Sequence, residues 1–139
     1  MNVFFDTNVL LDIALARQPF AEASIAAWSW AAESGEKPAF APHSLATFYY
    51  MVRQAHGNMR ATEAVRDLME TGQIAEFDDV CAREAADLGF SDFEDAMVAA
   101  CAAKVEAERI LTRNKTDFKR SPVQCQSPEE FLDEVRRSP

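Results

Sequence analysis

The chain has 139 residues, enough for one ordinary domain, and 48% of them are apolar, enough for one core. Its net charge of −9 counts against a passive nucleic-acid binder, which presents a basic face to phosphates. No apolar run approaches the roughly 20 residues of a membrane span, and three scattered cysteines, Cys81, Cys101 and Cys125, suggest neither a disulfide scaffold nor a zinc site.

In chain order, Asn2 to Phe5 reads as a strand by its run of Val3, Phe4 and Phe5. Val9 to Ala16 reads as a short helix, ended near Pro19, and Pro19 to Glu33 as a second, stopped around Gly35. Pro38 to Ala41 is a short buried strand. Ser44 to Ala55 is helical, with Leu45, Phe48, Tyr49 and Val52 at the 3–4 spacing of one face, and Gly57 ends it. Arg60 to Glu70 follows as a helix closed by Gly72. Ile74 to Phe77 reads as a strand, and Val80 to Leu88 as a helix that Asp78 or Asp79 can cap. Phe93 to Glu106 is a helix, apolar nearly all round from Ala96 to Ala103 and therefore expected against the sheet. Arg109 to Thr112 and Val123 to Gln126 read as strands. Pro128 to Arg137 is a final helix, with Ser127 as N-cap and Glu129 and Glu130 in its first turn.

Strands alternating with helices predict a parallel sheet covered on both faces, with strands apolar on both sides. The first residues lack the basic start and long apolar stretch of a signal peptide, so a cytoplasmic location is expected.

In such open sheets, ligands bind beyond the carboxyl ends of the strands. Asp6 follows the first strand directly, where a lone carboxylate needs partners or a metal. Thr112 to Asn114 follow the strand at Arg109–Leu111. If those strands are neighbours, Asp6, Asn8, Thr112, Asn114 and Asp117 share one edge, and Asp95 joins them if its helix starts there. Carboxylates without histidine or cysteine suit hard cations such as Mg²⁺ or Mn²⁺. Each acid also has a purely structural reading. Ser91 and Glu94 fit a capping box, Asp92, Glu94 and Asp95 suit the start of a helix dipole, and Asp12 can be a solvated charge on its helix. His43 reads as a capping or surface histidine, and His56 as a cation at a helix end. Trp28 and Trp30, two apart on one helix, cannot share a face: one is expected in the core, the other can mark a partner surface.

The segments FDTNVLLD, DFEDAMVAACA and ILTRNKTDF, in this order, resemble the motifs of the PIN-domain nucleases, above all the small bacterial VapC-like toxins. The resemblance covers nearly the whole chain. It implies a three-layer α/β/α sandwich around a parallel five-stranded sheet. It also implies Mg²⁺- or Mn²⁺-dependent cleavage of RNA phosphodiesters, an antitoxin partner and a homodimer. By motif, Asp6, Asp95 and Asp117 match the catalytic metal-binding acids. Asn8, Thr112 and Asn114 match the polar residues beside them. Arg113 and Lys115 are expected near the scissile phosphate. The family's usual glutamate on the helix after the second strand falls on Thr47, or on Tyr50 in a shifted alignment. Glu94 or Asp92, close to Asp95, is the candidate to compensate for that acid, with Glu94 as the expected metal ligand. Its loss also leaves a second reading, a catalytically weakened binding or regulatory protein. A phosphoryl-accepting receiver ranks last: it needs paired acids after the first strand and a lone one after the third. Here the first strand gives Asp6-Thr7-Asn8 and the third gives Glu76-Phe77-Asp78-Asp79.

Overall fold

In the computed structural model, which describes residues 1–137, five parallel strands form one sheet in the order β3-β2-β1-β4-β5. The strands are β1 (Val3–Phe5), β2 (Ala39–Phe40), β3 (Gln73–Ile74), β4 (Arg109–Leu111) and β5 (Cys125–Gln126). Between them run α1 (Thr7–Ala14), α2 (Ala21–Glu33), α3 (Pro42–His56), α4 (Asn58–Thr71), α5 (Asp79–Asp87), α6 (Phe93–Lys104) and α7 (Pro128–Arg137).

The two-residue alternation of a strand sorts the core into two layers. Val3, Phe5, Phe40 and Leu111 point to one side, where α1, α2, α3, α4 and α7 bring Leu10, Ala27, Phe48, Leu68 and Phe131. Phe4, Ala39 and Ile110 point to the other and meet Val98, Ala99, Cys101 and Ala102 of α6. Ala85 of α5 packs on Ala96 and Ala100, so α6 lies between the sheet and α5. That is why its sequence is apolar nearly all round: the small side chains serve two neighbours. The three layers and five parallel strands expected from the sequence are present.

Several boundaries differ from those expected. The third strand is Gln73–Ile74, not Ile74–Phe77, and both its residues are exposed. Its partner explains this. β2 pairs with it at Ala39↔Gln73 and Phe40↔Ile74, the Ala75 amide donates to the Phe40 carbonyl at 2.9 Å, and Pro42 then begins α3, so the partner strand ends there. β5 is likewise short, because Ser121 Oγ donates to the Val123 carbonyl at 2.7 Å and ties the chain into a turn there. α1 starts at Thr7, two residues early, because Asp6 caps it. Gly57 ends α3 and leads into α4 at φ +89°, a backbone angle that favours glycine. Ser127 caps α7 as expected: its Oγ accepts from the Glu130 amide at 3.1 Å, and Glu130 accepts from the Ser127 amide at 2.8 Å. Both tryptophans pack inward, Trp28 edge-on to Phe5 and Trp30 edge-on to Phe131.

Candidate active site

Asp6 is set by the two central strands. β1 and β4 pair in register, Phe5 opposite Leu111, and the Asp6 amide donates to the Leu111 carbonyl at 3.0 Å. One carboxylate oxygen accepts from the Thr7 amide at 2.8 Å, capping α1. The other accepts from Thr112 Oγ1 at 2.8 Å. Thr112 is fully buried and Asp6 is 3% exposed. The Asn114 amide donates to the same threonine oxygen at 3.1 Å, so Thr112 links Asp6 to the loop that follows β4. Burial raises the Asp6 carboxyl above its ordinary value and outweighs the bonds from Thr112 and Thr7.

The start of α6 lies at the same sheet edge. Asp92, not Ser91, is its cap: it accepts from the Glu94 amide at 2.8 Å and the Asp95 amide at 3.2 Å. This corrects the expected capping box. Asp92 is the acid nearer those amides and fills the role that Ser91 was expected to take. The Asp95 carboxyl is pushed up to about 7, first by burial and then by the negative charge of Asp6, Asp92, Asp117 and Glu94.

A cleft of about 300 Å³ gathers these groups. Asp6, Thr7 and Asn8 come from the β1–α1 junction, His43 and Thr47 from α3, Asp92, Glu94 and Asp95 from α6, and Asn114 and Asp117 from beyond β4. Thr112 stands behind Asp6. Thr47 faces the cleft whereas Tyr50 is 55% exposed and lines no part of it, which favours the Thr47 alignment. Thr7 Oγ1 donates to Ser44 Oγ at 2.7 Å, tying the starts of α1 and α3 together. His43 is not a simple surface residue. Its Nε2 lies 3.2 Å from the Glu94 carbonyl and, as an N–H, bridges α3 to α6. Burial holds its imidazole below the ordinary value, which keeps the ring neutral.

Two expected residues do not face the cleft. Arg113 turns to Asp12, with Nε 2.6 Å from one carboxylate oxygen and Nη2 3.1 Å from the other. Its guanidinium also stacks 4.1 Å from the Phe20 ring centre. Lys115 pairs with Glu130 of α7 at 2.7 Å. Asp12, expected in solvent, is fully buried. Its helix has apolar neighbours on both sides, and Arg113 supplies the positive charge that this burial requires.

Sequence reasoning passed over Arg17, weighed Asp92 only as a stand-in for the missing acid and set His43 aside as a capping or surface residue, and all three line the cleft. Arg17 carried no signal, since nothing local says which way a loop arginine turns.

Among the described residues, no three aspartate, glutamate, histidine or cysteine side chains form a ready-made metal cage. The donors nonetheless suit a hard divalent cation, which keeps several waters and takes only one or two carboxylates from the protein. Burial first, and then four anionic neighbours, hold the Asp95 carboxyl at about 7, and those neighbours mark a cluster rich in negative charge.

This chain belongs to the PIN-domain family, whose model matches residues 2–116. The fold is shared with solved toxin–antitoxin structures. VapBC2 from Rickettsia felis, bound to a promoter DNA fragment, is 17% identical with a TM-score of 0.73, over 91% of this chain and 98% of that one. A toxin–antitoxin complex from Klebsiella pneumoniae is 22% identical with a TM-score of 0.70, over 91% and 98%. VapC20 of Mycobacterium tuberculosis, described as a toxin that cleaves the sarcin–ricin loop, is 14% identical with a TM-score of 0.64, over 78% and 87%. No curated protein matches the chain.

Proposed function

We propose that this protein is a Mg²⁺- or Mn²⁺-dependent endoribonuclease, the toxin of a toxin–antitoxin pair. The observation that carries the reading is the convergence of Asp6, Asp95 and Asp117 on one cleft crowded with acids. Membership of the PIN-domain family and the fold shared with the VapBC structures support it.

Asp6, Asp95 and Asp117 would hold the ion, directly or through its bound waters, with Glu94 or Asp92 in reach of Asp95 as a further acid. A bound divalent ion supplies a water of lowered pKa and stabilises charge on the attacking and leaving oxygens of the phosphodiester. The rest is done by this chain. Thr112 donates to Asp6 and keeps that carboxylate at a fixed angle, as an outer partner of a metal ligand does. Asn8 and Asn114 offer amide donors and acceptors from two walls of the cleft to orient a water or a phosphate oxygen. The His43 N–H holds the first turn of α6 in place, and with it the acids of that turn. Thr47 offers a hydroxyl where the family usually has an acid, so the site works with one fewer carboxylate on the α3 wall. An antitoxin would restrain the enzyme by covering the acidic edge, the surface that RNA must reach.

The test is cleavage of a mixed RNA pool in Mg²⁺ and then Mn²⁺, with EDTA and Asp6→Asn as controls. Asparagine keeps the α1 cap, so this variant is expected to fold like the parent and to show only background cleavage. Cleavage unaffected by EDTA or by the substitution rejects the reading. Metal binding without cleavage favours the alternative, a binding protein that kept the fold, for which the threonine at position 47 is the motivating observation.

A further inference from the structure

The cleft that would receive RNA is lined by acids, and the two cations expected to meet the phosphate are engaged elsewhere. Among the described residues, one lysine or arginine does line it: Arg17, in the loop between α1 and α2. Its backbone is anchored. The Arg17 amide donates to the Asp12 carbonyl at 3.1 Å, and its own carbonyl accepts from the Phe20 amide at 3.0 Å and the Ala21 amide at 2.8 Å. Its side chain is held only by an ion pair. The guanidinium lies 3.7 Å from Asp12, beyond hydrogen-bond reach, and both oxygens of that carboxylate already accept from Arg113. Among the described residues, the Arg17 guanidinium donates no hydrogen bond.

The side chain of Arg17 is 32% exposed, against 0% for Asp12. A planar fork of free N–H donors, on a fixed backbone at the wall of the cleft, is the geometry that takes a phosphate by two parallel bonds. We propose that Arg17, and not Arg113, holds a backbone phosphate of the RNA in the cleft. The assignment rests on the ribonuclease reading. It gives the two arginines different roles. Arg113 neutralises Asp12 and fixes the loop after β4, whereas Arg17 contacts substrate. Asp12 serves both, since its 3.7 Å ion pair with Arg17 keeps the guanidinium near the cleft without a hydrogen bond to its donors.

The experiment compares the parent with Arg17→Gln, Arg17→Lys and Asp6→Asn in single-turnover cleavage of a single-stranded RNA at several salt concentrations. Each protein is also unfolded in urea. Arg17→Gln is expected to cleave about 10- to 100-fold more slowly at limiting enzyme, the range for one hydrogen-bonded contact to a charged group. The slope of log rate against log salt is expected to shrink by about 0.7, the value for one phosphate contact on a single strand. Arg17→Lys is expected to restore the salt slope and part of the rate. The urea midpoint of Arg17→Gln is expected to match the parent, because Arg113 remains on Asp12. A parental rate and slope in Arg17→Gln, with Asp6→Asn inactive, overturns the assignment and leaves the nuclease reading intact. A slower rate with an unchanged salt slope overturns it too, since it shows a structural role. A parent that cleaves no RNA in either metal overturns the nuclease reading and this assignment with it.

Discussion

Asp6 caps α1 and Asp12 lies within it, and both are buried, but they live in opposite electrostatic worlds. Asp12 has an arginine on both oxygens and a second arginine nearby. Asp6 has only hydroxyl and amide donors, and its closest charged company includes Asp92. One carboxylate is neutralised from within the chain. The other is held by neutral donors and, among the described residues, has no ion pair of its own, only the more distant charge of Arg113. The difference separates a carboxylate that holds the fold from one kept for chemistry, although both are inside and both are bonded. Burial alone does not tell them apart; the source of the positive charge does.

The largest effect that tests this contrast falls on the satisfied acid. Asp12→Ala leaves Arg113 without its partner and is expected to cost about 3 kcal/mol in urea unfolding. Adding Arg113→Leu is expected to recover part of that loss, and additive losses would show that the pair is not coupled. On the other acid, Thr112→Val keeps the volume but removes the donor to Asp6. It is expected to weaken Mn²⁺ binding about 10- to 100-fold by calorimetry, and an unchanged isotherm would show that the hydroxyl does not orient Asp6.

The third test is the smallest and uses pH. Asp95 titrates at an ordinary 3.8 in the unfolded chain and at about 7 in the fold. Between those values the unfolded chain releases a proton that the fold retains. Without metal, stability is therefore fully present below 3.8 and is lost as pH rises towards 7. Asp95→Asn removes this penalty. It is expected to melt a few degrees above the parent at pH 8 and level with it at pH 3, both in EDTA. A difference that is the same at both pH values would show that Asp95 is not the strained group.

Much of the architecture was legible because strand and helix periods are local. Phe4 between Val3 and Phe5 already implies a sheet covered twice, and the alanines of α6 imply close packing on two sides. Asp6 was legible because a carboxylate directly after a buried strand has few innocent explanations. The gathering of Asp95 with Asp6 was not, since it depends on where α6 begins relative to β1, a tertiary fact. The partner of Arg113 was equally hidden. A cation after a strand can turn to the cleft or away from it, and the deciding residue lies far back in the chain at Asp12. One clue was present: α1 is so short and apolar, with Val9, Leu10 and Leu11 all buried, that little of its surface was left for a solvated acid. The length of β3 failed for a different reason, because an edge strand is cut to its partner and not to its own sequence.

The bond between Asp6 and Thr112 joins residues 106 apart in the chain. β1, made first, gains its β4 neighbour only after four helices of the first layer and most of the second have been synthesised. During translation at about 5–20 residues per second, a growing chain thus carries Asp6 for several seconds before the hydroxyl that orients it exists. A ribosome-bound fragment that stops short of β4 carries Asp6 and Asp95 but lacks Thr112, Asn114 and Asp117, and so holds no complete centre. On the nuclease reading, the protein is harmless while it is being made, and becomes competent in one late step of long-range closure.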